Sequence, residues 1–268
     1  MEIAGYIASV FIGIALGLIG GGGSILTVPV LYYLFGLDTV TATGYSLFIV
    51  GITSAFSSVS YFRRKLVDIK TAVIFGIPSI IAVFATRAWL VPALPDHFFS
   101  IGEFHFIKNL FMLSLFAILM IAASYSMIRK VSISQETEPT KRNFNYPMII
   151  IEGLVVGTLT GLVGAGGGFL IIPALVVLSK LPMKMAVGTS LVIIAAKSLI
   201  GFIGESHQGN TDWKFLLLVS VFAIAGGFAG IALSKRIDGG KLKPAFGYFI
   251  LVMGIYILVK ELAFPGVK

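Results

Sequence analysis

The sequence contains no cysteine, and charged residues make up only 12% of its 268 residues. The absence of cysteine excludes disulfide bonds and thiolate chemistry and gives no information about the redox compartment. Soluble domains carry about 25% charged residues. Here hydrophobic residues reach 57% and the mean hydropathy is +0.99. This composition excludes an ordinary soluble domain and predicts an all-α membrane protein that crosses the bilayer several times.

Histidine is also scarce, and the three that occur show neither an H-x-x-x-H nor an HExxH spacing. We therefore expect no metal site and no cofactor. No Gly-Lys-Ser/Thr phosphate loop and no G-x-S-x-G or S-x-x-K nucleophile frame lies within the apolar segments. The run GLVGAGGG at 161–168 lies between apolar helical segments and not in a βαβ unit, which argues against dinucleotide binding. The sequence thus predicts that the protein is not an enzyme.

Six apolar segments are long enough to cross a hydrocarbon core, which takes about 20 helical residues. They cover 41–62, 69–91, 107–128, 184–204, 213–234 and 244–262. Four shorter segments form two pairs, 3–19 with 24–36 and 147–163 with 168–180, and each pair is joined by a glycine cluster. Because Glu2 stands where a signal peptide has basic residues, we expect the first segment to be part of the mature structure.

The chain also contains an internal repeat. A shift of 144 positions, without a gap, aligns glycines, prolines, serines and an Asp-x-Lys motif of the two halves. The aligned pairs include Gly20/Gly164, Gly22/Gly166, Gly23/Gly167, Pro29/Pro173, Gly44/Gly188, Ser46/Ser190, Ser54/Ser198, Asp68/Asp212 and Lys70/Lys214. We interpret this alignment as a duplication, with residues 1–128 as the first membrane repeat, 129–146 as a linker and 147–268 as the second repeat.

The distribution of basic residues predicts how the repeats are oriented. If the loop at 63–70 is cytoplasmic, 14 of the 20 Lys and Arg residues lie in the four loops on that side, at 63–70, 129–146, 180–184 and 235–243. Each repeat has an odd number of crossings, so the second copy is inverted relative to the first. The sequence predicts an inner-membrane protein with both termini on the non-cytoplasmic side. Basic loops facing lipid headgroups then explain the net charge of +8 without nucleic-acid binding.

The two glycine clusters predict helix breaks at membrane depth. Non-helical backbone is tolerated there only where protein or a wet cavity satisfies its polar groups. Broken helices near the midplane present backbone N–H groups and positive dipole ends, which favour anions. We therefore expect the two breaks to meet around one small anion. The alternative is that these glycines serve only to pack helices closely.

The long segment after each pair carries polar residues on one face. Ser46 and Thr53 have the same spacing of 7 as Ser190 and Lys197 in the second repeat. A lysine inside an apolar segment normally faces a cavity and a partner. Lys197 could contact the anion, form a structural pair with Glu152, or extend towards the nearer surface.

Three further polar residues have ordinary interpretations. Arg87 stands close to Trp89, a combination typical of an interfacial anchor. Asp68 and Asp212 come directly before apolar segments, where a carboxylate caps the helix N-terminus.

The doubled motif resembles the TauE/SafE sulfite exporter family of membrane permeases. The second repeat carries the resemblance best, as GLVGAGGGFLIIP, AVGTSL and TDW, and the first repeat has GLIGGGGSILTVP, ATGYSL and VDI. The first repeat departs from the pattern at Tyr45 and Ile69, where the second has Thr189 and Trp213. The resemblance implies secondary transport of a small sulfur oxyanion or sulfonate, such as sulfite or sulfoacetate.

The sequence therefore predicts a secondary transporter of a small anion that works by alternating access. An anion channel and a transporter of a non-sulfur carboxylate are the alternatives. Protons are a candidate coupling ion, and a homo-oligomer is compatible with the sequence. The predicted substrate site consists of the glycine clusters and the polar face beside them: Gly20, Gly21, Gly22, Gly23, Ser24, Ser46, Thr53, Gly164, Gly166, Gly167, Gly168, Thr189, Ser190 and Lys197.

Overall fold

Helices make up nearly all of the structure. The computed structural model describes residues 2–20, 23–101, 104–128, 146–164, 166–177, 181–206, 211–234 and 239–263. Helices α2 and α4 each include a π-helical turn, at Val30–Leu34 and Thr86–Leu90. The elements are α1 Glu2–Ile19, α2 Ser24–Leu34, α3 Thr39–Arg63, α4 Ile69–Ala93, β1 His97–Ile101, β2 Phe104–Ile107, α5 Lys108–Ile128, α6 Tyr146–Val163, α7 Gly168–Val177, α8 Met183–Ser206, α9 Trp213–Ser234 and α10 Gly239–Ala263.

Within the described residues, five helices contain a stretch long and apolar enough to cross a membrane, in α3, α4, α5, α8 and α9. Helix α10 covers a sixth predicted segment, and α1, α2, α6 and α7 are the shorter apolar helices of the two predicted pairs. Large apolar side chains point away from the protein, as Ile3, Ile7 and Phe11 do at every fourth position of α1. This arrangement confirms the prediction of an all-α protein that crosses the membrane several times.

Both glycine clusters interrupt the helical backbone, as predicted. Helix α1 ends just before Gly20, which has a φ of +76°, and α6 ends just before Gly164, which has a φ of +71°. Gly166 and Gly167 also have positive φ, at +62° and +70°. L-residues with a side chain rarely adopt this region, so glycine is required at these four positions. Gly21 and Gly22 lie outside the described residues.

The helix boundaries recur with the spacing of the sequence repeat. Helices α6, α7, α8 and α9 each begin 144 residues after α1, α2, α3 and α4. The fifth pair has a different spacing because a β-hairpin, β1 paired antiparallel with β2, is inserted before α5. This hairpin was not predicted from the sequence. Most of the predicted linker, 129–145, lies outside the described residues.

The helices of one repeat pack on those of the other. The main packed pairs are α1 with α9, α6 with α4, α3 with α8, α5 with α10, α4 with α8, and α9 with α3. If each helix is replaced by its equivalent in the other repeat, every pair becomes either the same pair or another of the pairs named above. For example, α1 with α9 becomes α6 with α4. The fold therefore has an approximate two-fold relation between its halves. Their orientation across the membrane stays a prediction.

Helices α3 and α8 cross antiparallel at the centre. The rings of Phe48 and Phe202 lie 5.1 Å apart. Further along α3, Gly51 lies against Leu199, which comes earlier on α8. Because the residue numbers of the contacts increase along α3 while they decrease along α8, the two helices run antiparallel.

Small residues bring the outer helix pairs close together. Gly153, Gly157 and Gly161 follow each other at every fourth position of α6 and face α4. A Cβ atom on Gly157 would lie 2.5 Å from the carbonyl oxygen of Ser79 and 2.7 Å from Cβ of Ala82. Glycines also face the partner backbone in the equivalent pair α1 and α9, at Gly13, Gly17, Gly226 and Gly230. Such small residues allow close approach of membrane helices.

Two aspartates fix the starts of the fourth helix in each repeat. The Oδ1 atom of Asp68 accepts a hydrogen bond from the backbone N–H of Thr71 at 2.9 Å. The Oδ1 atom of Asp212 accepts one from the backbone N–H of Phe215 at 3.0 Å. These contacts confirm the predicted N-cap role of both residues.

We predict that Gly157→Ala lowers the free energy of unfolding by about 1–3 kcal/mol, because its methyl group would push α6 away from α4. Gly76→Ala on α4 is the matched control, since the nearest atom to its Cβ position is Cγ1 of Ile193 at 3.8 Å. That variant should be neutral or more stable. Chemical unfolding of both variants in detergent micelles checks this, and equal stability of the two would contradict the close packing.

Candidate functional site

The second glycine break lies at the crossing of α3 and α8. A Cβ atom on Gly166 would lie 2.5 Å from Cγ1 of Val50 on α3 and 3.3 Å from Cγ2 of Ile194 on α8. Val50 and Ile194 are equivalent residues of the two repeats, so the break lies close to the axis that relates the halves. The backbone then turns into α7, whose first residue is Gly168. The chain thus places non-helical backbone and a helix N-terminus at the centre of the bundle.

Lys197 lies beside this break. Its side chain is 0% exposed, and its Nζ atom is 2.7 Å from the Cβ position of Gly167. Nζ donates a hydrogen bond to Oγ1 of Thr160 on α6 at 2.9 Å. Thr160 is its hydrogen-bond partner in the described part of the chain, and no salt bridge there joins it to the half-buried Glu152. Lys197 therefore neither reaches the surface nor pairs with Glu152, two of the three roles considered for it.

Arg87 flanks the break on its other side, which corrects the sequence analysis. We expected Arg87 to anchor the membrane interface beside Trp89, but its side chain is 0% exposed, whereas Trp89 is 70% exposed. The π-helical turn of α4 directs it inward, and one of its terminal nitrogens lies 2.6 Å from the Cβ position of Gly164. Turns of this kind are frequent at functional sites. The second break therefore has a buried cation at each end, Arg87 by Gly164 and Lys197 by Gly167.

The first break has no such charges in the described residues. The Cβ position of Gly20 lies 2.9 Å from Cγ1 of Val187 and 3.3 Å from Oγ of Ser190, both on α8. After the break, Gly23 has an ordinary helical φ of −71° and precedes α2, which starts at the buried Ser24. The predicted residues Gly20, Gly23, Ser24 and Ser190 thus surround the first break, and Gly21 and Gly22 lie outside the described residues.

Equivalent positions of the repeats explain the difference in charge. Lys197 and Thr160 correspond to Thr53 and Leu16. The backbone of Leu16 lies against the Cβ position of Gly23, and Cγ2 of Thr53 lies 3.4 Å from that of Gly227 on α9. Arg87 corresponds to Ile231, whose backbone nitrogen lies 2.8 Å from the Cβ position of Gly17. The two breaks therefore share a backbone arrangement, but the second has two cations beside it, whereas the equivalent residues of the other repeat are apolar or neutral.

Several hydroxyl groups on the central helices are buried without a hydrogen-bond partner in the described part of the chain. Ser46, Thr53 and Ser54 on α3 and Ser198 on α8 are all 0% exposed. The Oγ atom of Ser198 lies 3.3 Å from the Cβ position of Gly166. Buried polar groups normally have partners. The hydroxyl of Ser198 is therefore available to a polar ligand at the second break.

Thr189 is placed differently from the other predicted site residues. Its Oγ1 atom accepts a hydrogen bond from the backbone N–H of Asp68, in the loop before α4. This contact, the role of Thr160 as acceptor for Lys197 and the burial of Arg87 were not predicted from the sequence. For Thr160, the alignment contained a signal, since the equivalent residue of the first repeat is the apolar Leu16.

We predict that Thr160→Val lowers the free energy of unfolding by about 1–3 kcal/mol, because it leaves the buried ammonium group of Lys197 without this acceptor. The double variant Thr160→Leu/Lys197→Thr installs the side chains of Leu16 and Thr53 and removes the buried charge. We expect it to be at least as stable as the wild type. Chemical unfolding in detergent micelles measures all three proteins, and an unaffected Thr160→Val variant would contradict the contact.

The chain is similar over nearly all of its length to proteins that are named as probable membrane transporters. The family model described as "Sulfite exporter TauE/SafE" matches residues 6–257. A "Probable membrane transporter protein" of Xylella fastidiosa is 28% identical over 256 residues, which cover 94% of this chain and 93% of that protein. The "Probable membrane transporter protein YunE" of Bacillus subtilis is 29% identical over 90% of this chain and 91% of its own length.

An archaeal protein shows a similar degree of likeness. The "Probable membrane transporter protein MJ0441" of Methanocaldococcus jannaschii is 27% identical over 94% of both chains. No solved structure is significantly similar to the chain. The match of the family model to almost the whole chain identifies this protein as a member of the sulfite exporter TauE/SafE family of membrane transporters.

Proposed function

We propose that the protein is a secondary transporter of a small sulfur-containing anion, sulfite or an organosulfonate such as sulfoacetate, and that it works by alternating access in the inner membrane. One observation carries this proposal: the second glycine break lies between two fully buried cations, Lys197 and Arg87. The choice of a sulfur anion rests on the description of the family.

The electrostatics of the break favour an anion. A buried cation in a membrane segment is unfavourable unless a partner compensates its charge. The hydroxyl of Thr160 supplies a neutral acceptor for Lys197 but no negative charge. A bound oxyanion would supply that charge and accept hydrogen bonds from the ammonium group.

The backbone supplies further donors. The positive φ angles of Gly166 and Gly167 turn the chain just before α7 begins at Gly168. The first N–H groups of a helix have no intrahelical acceptor. Together with the positive end of the helix dipole they attract an anion.

The predicted residues Ser46, Thr53 and Ser190 contribute hydroxyl groups, and so does Ser198, which was not among the predicted site residues. Ser46, Thr53 and Ser198 have no partner in the described residues and lie on the two crossing helices. Ser190 donates to the carbonyl oxygen of Val187, so its oxygen keeps acceptor capacity near Gly20. We propose that the charged second break holds the anion and that the neutral first break closes the site from the opposite half.

We predict that Lys197→Met reduces uptake of the anion at least about tenfold, since a hydrogen bond to a charged group contributes about 1.5–3 kcal/mol. Radiolabelled sulfite, sulfoacetate and thiosulfate are tested separately in proteoliposomes with an imposed pH gradient. Lys184→Met is the matched control, because Lys184 is exposed at the start of the same helix α8. It should transport like the wild type.

A second arm of the experiment separates the mechanisms. A transporter that alternates between two sides exchanges unlabelled anion inside for labelled anion outside, whereas an open channel shows no such acceleration. Saturable uptake that is accelerated by internal sulfite supports the proposal. Equal uptake by Lys197→Met and Lys184→Met would contradict the anion site. Competition by acetate and oxalate but not by the sulfur anions would contradict the substrate class.

A further inference from the structure

Two hydrogen bonds join the repeats at equivalent positions. The backbone N–H of Asp68, just before α4, donates to Oγ1 of Thr189 on α8 at 2.9 Å. The backbone N–H of Asp212, just before α9, donates to Oη of Tyr45 on α3 at 2.7 Å. Asp212 and Thr189 are the repeat equivalents of Asp68 and Tyr45. In both halves, a hydroxyl on the third helix of one repeat therefore holds the start of the fourth helix of the other.

These two contacts lie on opposite sides of the glycine breaks. Tyr45 and Thr189 both belong to the N-terminal part of their helices, before the crossing residues Val50 and Ile194. Because α3 and α8 run antiparallel, their N-terminal parts point to opposite ends of the bundle. A transport path that runs along α3 and α8 to Gly166 would pass one of the two hydrogen bonds at either end.

Each contact can open without unravelling the helix that it holds. The carboxylates of Asp68 and Asp212 cap α4 and α9 independently, through the backbone N–H groups of Thr71 and Phe215. The hydroxyl groups of Thr189 and Tyr45 accept only from the backbone N–H of the capping aspartate and take no part in the cap itself. Water replaces such a partner at small cost once the end is open. The two contacts are therefore suited to repeated opening and closing.

The two ends differ in what covers them. At the Tyr45 end, the indole ring of Trp213 lies 5.9 Å from the rings of both Phe48 and Phe202. At the Thr189 end, the repeat equivalents of these three residues are Ile69, Val192 and Ser58, none of which has an aromatic ring. The Thr189 end is covered instead by an apolar cluster that contains Tyr61, Val187 and Leu191.

We infer that Tyr45 and Thr189 are the two gate residues of the transport path, a conclusion that rests on the proposed transport by alternating access. Each half of the cycle opens one of the hydrogen bonds while the other is kept. Both hydrogen bonds are formed in this structure.

The absence of cysteine makes a labelling experiment direct. Ser198→Cys places one thiol at a side chain that is 0% exposed and that lies 3.3 Å from the Cβ position of Gly166. A membrane-impermeant maleimide is applied to right-side-out and to inverted vesicles. Separate Lys184→Cys and Lys214→Cys variants mark the two sides, because these exposed lysines lie near Thr189 and Asp212.

We predict that Tyr45→Phe speeds labelling of the central thiol about fivefold from the Lys214 side only, the effect of losing one ordinary hydrogen bond. Thr189→Val speeds it from the Lys184 side only. Thr189→Ser, which keeps the hydroxyl, and Tyr248→Phe, which alters an exposed tyrosine of α10, leave both rates unchanged.

Labelling that rises equally from both sides, or that does not change in either variant, overturns the gate inference. Sulfite exchange by the wild type is measured in the same vesicles, so that the proposed function is tested separately. One-sided labelling without sulfite exchange would support the gates and contradict the proposed anion. Sulfite exchange with unchanged labelling would support the transporter and contradict the gates.

Discussion

A helix that is broken inside a membrane leaves backbone N–H and C=O groups that lipid cannot satisfy. The two glycine breaks impose this constraint on the whole fold. Glycine allows the positive φ angles at Gly20 and at Gly164, and it lets neighbouring helices approach the exposed backbone. The long helices α3 and α8 cross at the second break and shield it from lipid. The outer helix pairs then pack around that crossing through their own small residues.

The duplication explains the backbone arrangement that the two halves share, and a few residue differences between the halves explain their difference in charge. Where the first repeat has the uncharged residues Leu16 and Thr53, the second has Thr160 and Lys197, a buried ammonium group with its acceptor. Arg87 adds a second cation from the other repeat, at a π-helical turn. Both charges lie at one break, so the approximate symmetry of the backbone does not produce two equivalent sites. A single charged site between two similar halves fits the proposed alternating exposure of one anion.

Hydrophobicity and spacing predicted most of the architecture from the sequence. The long segments, the glycine breaks and the caps at Asp68 and Asp212 depend on local composition or on a repeat that can be aligned. The hairpin from His97 to Ile107 was missed because it is a short insertion in one repeat only. Its residues lack a partner in the alignment, and a two-stranded hairpin leaves only a weak periodic signal.

The site was predicted in part, for a related reason. The burial of Lys197 followed from its position inside an apolar segment. The burial of Arg87 did not, because its neighbour Gly164 is distant in sequence and a nearby tryptophan gave it the pattern of a surface anchor. The roles of Tyr45 and Thr189 were hidden because their different side chains offer the same hydroxyl to equivalent backbone groups. Sequence identity was too narrow a criterion to detect this shared interaction.

The central claim is that the charged second break binds an anion, and equilibrium binding of labelled sulfite to the purified protein tests it most directly. The wild type is compared with Thr160→Leu/Lys197→Thr, which replaces the charged pair by the pair of the first repeat. The account predicts saturable binding by the wild type and at least about a tenfold weaker affinity for the double variant. Equal affinity of two equally stable proteins would contradict it.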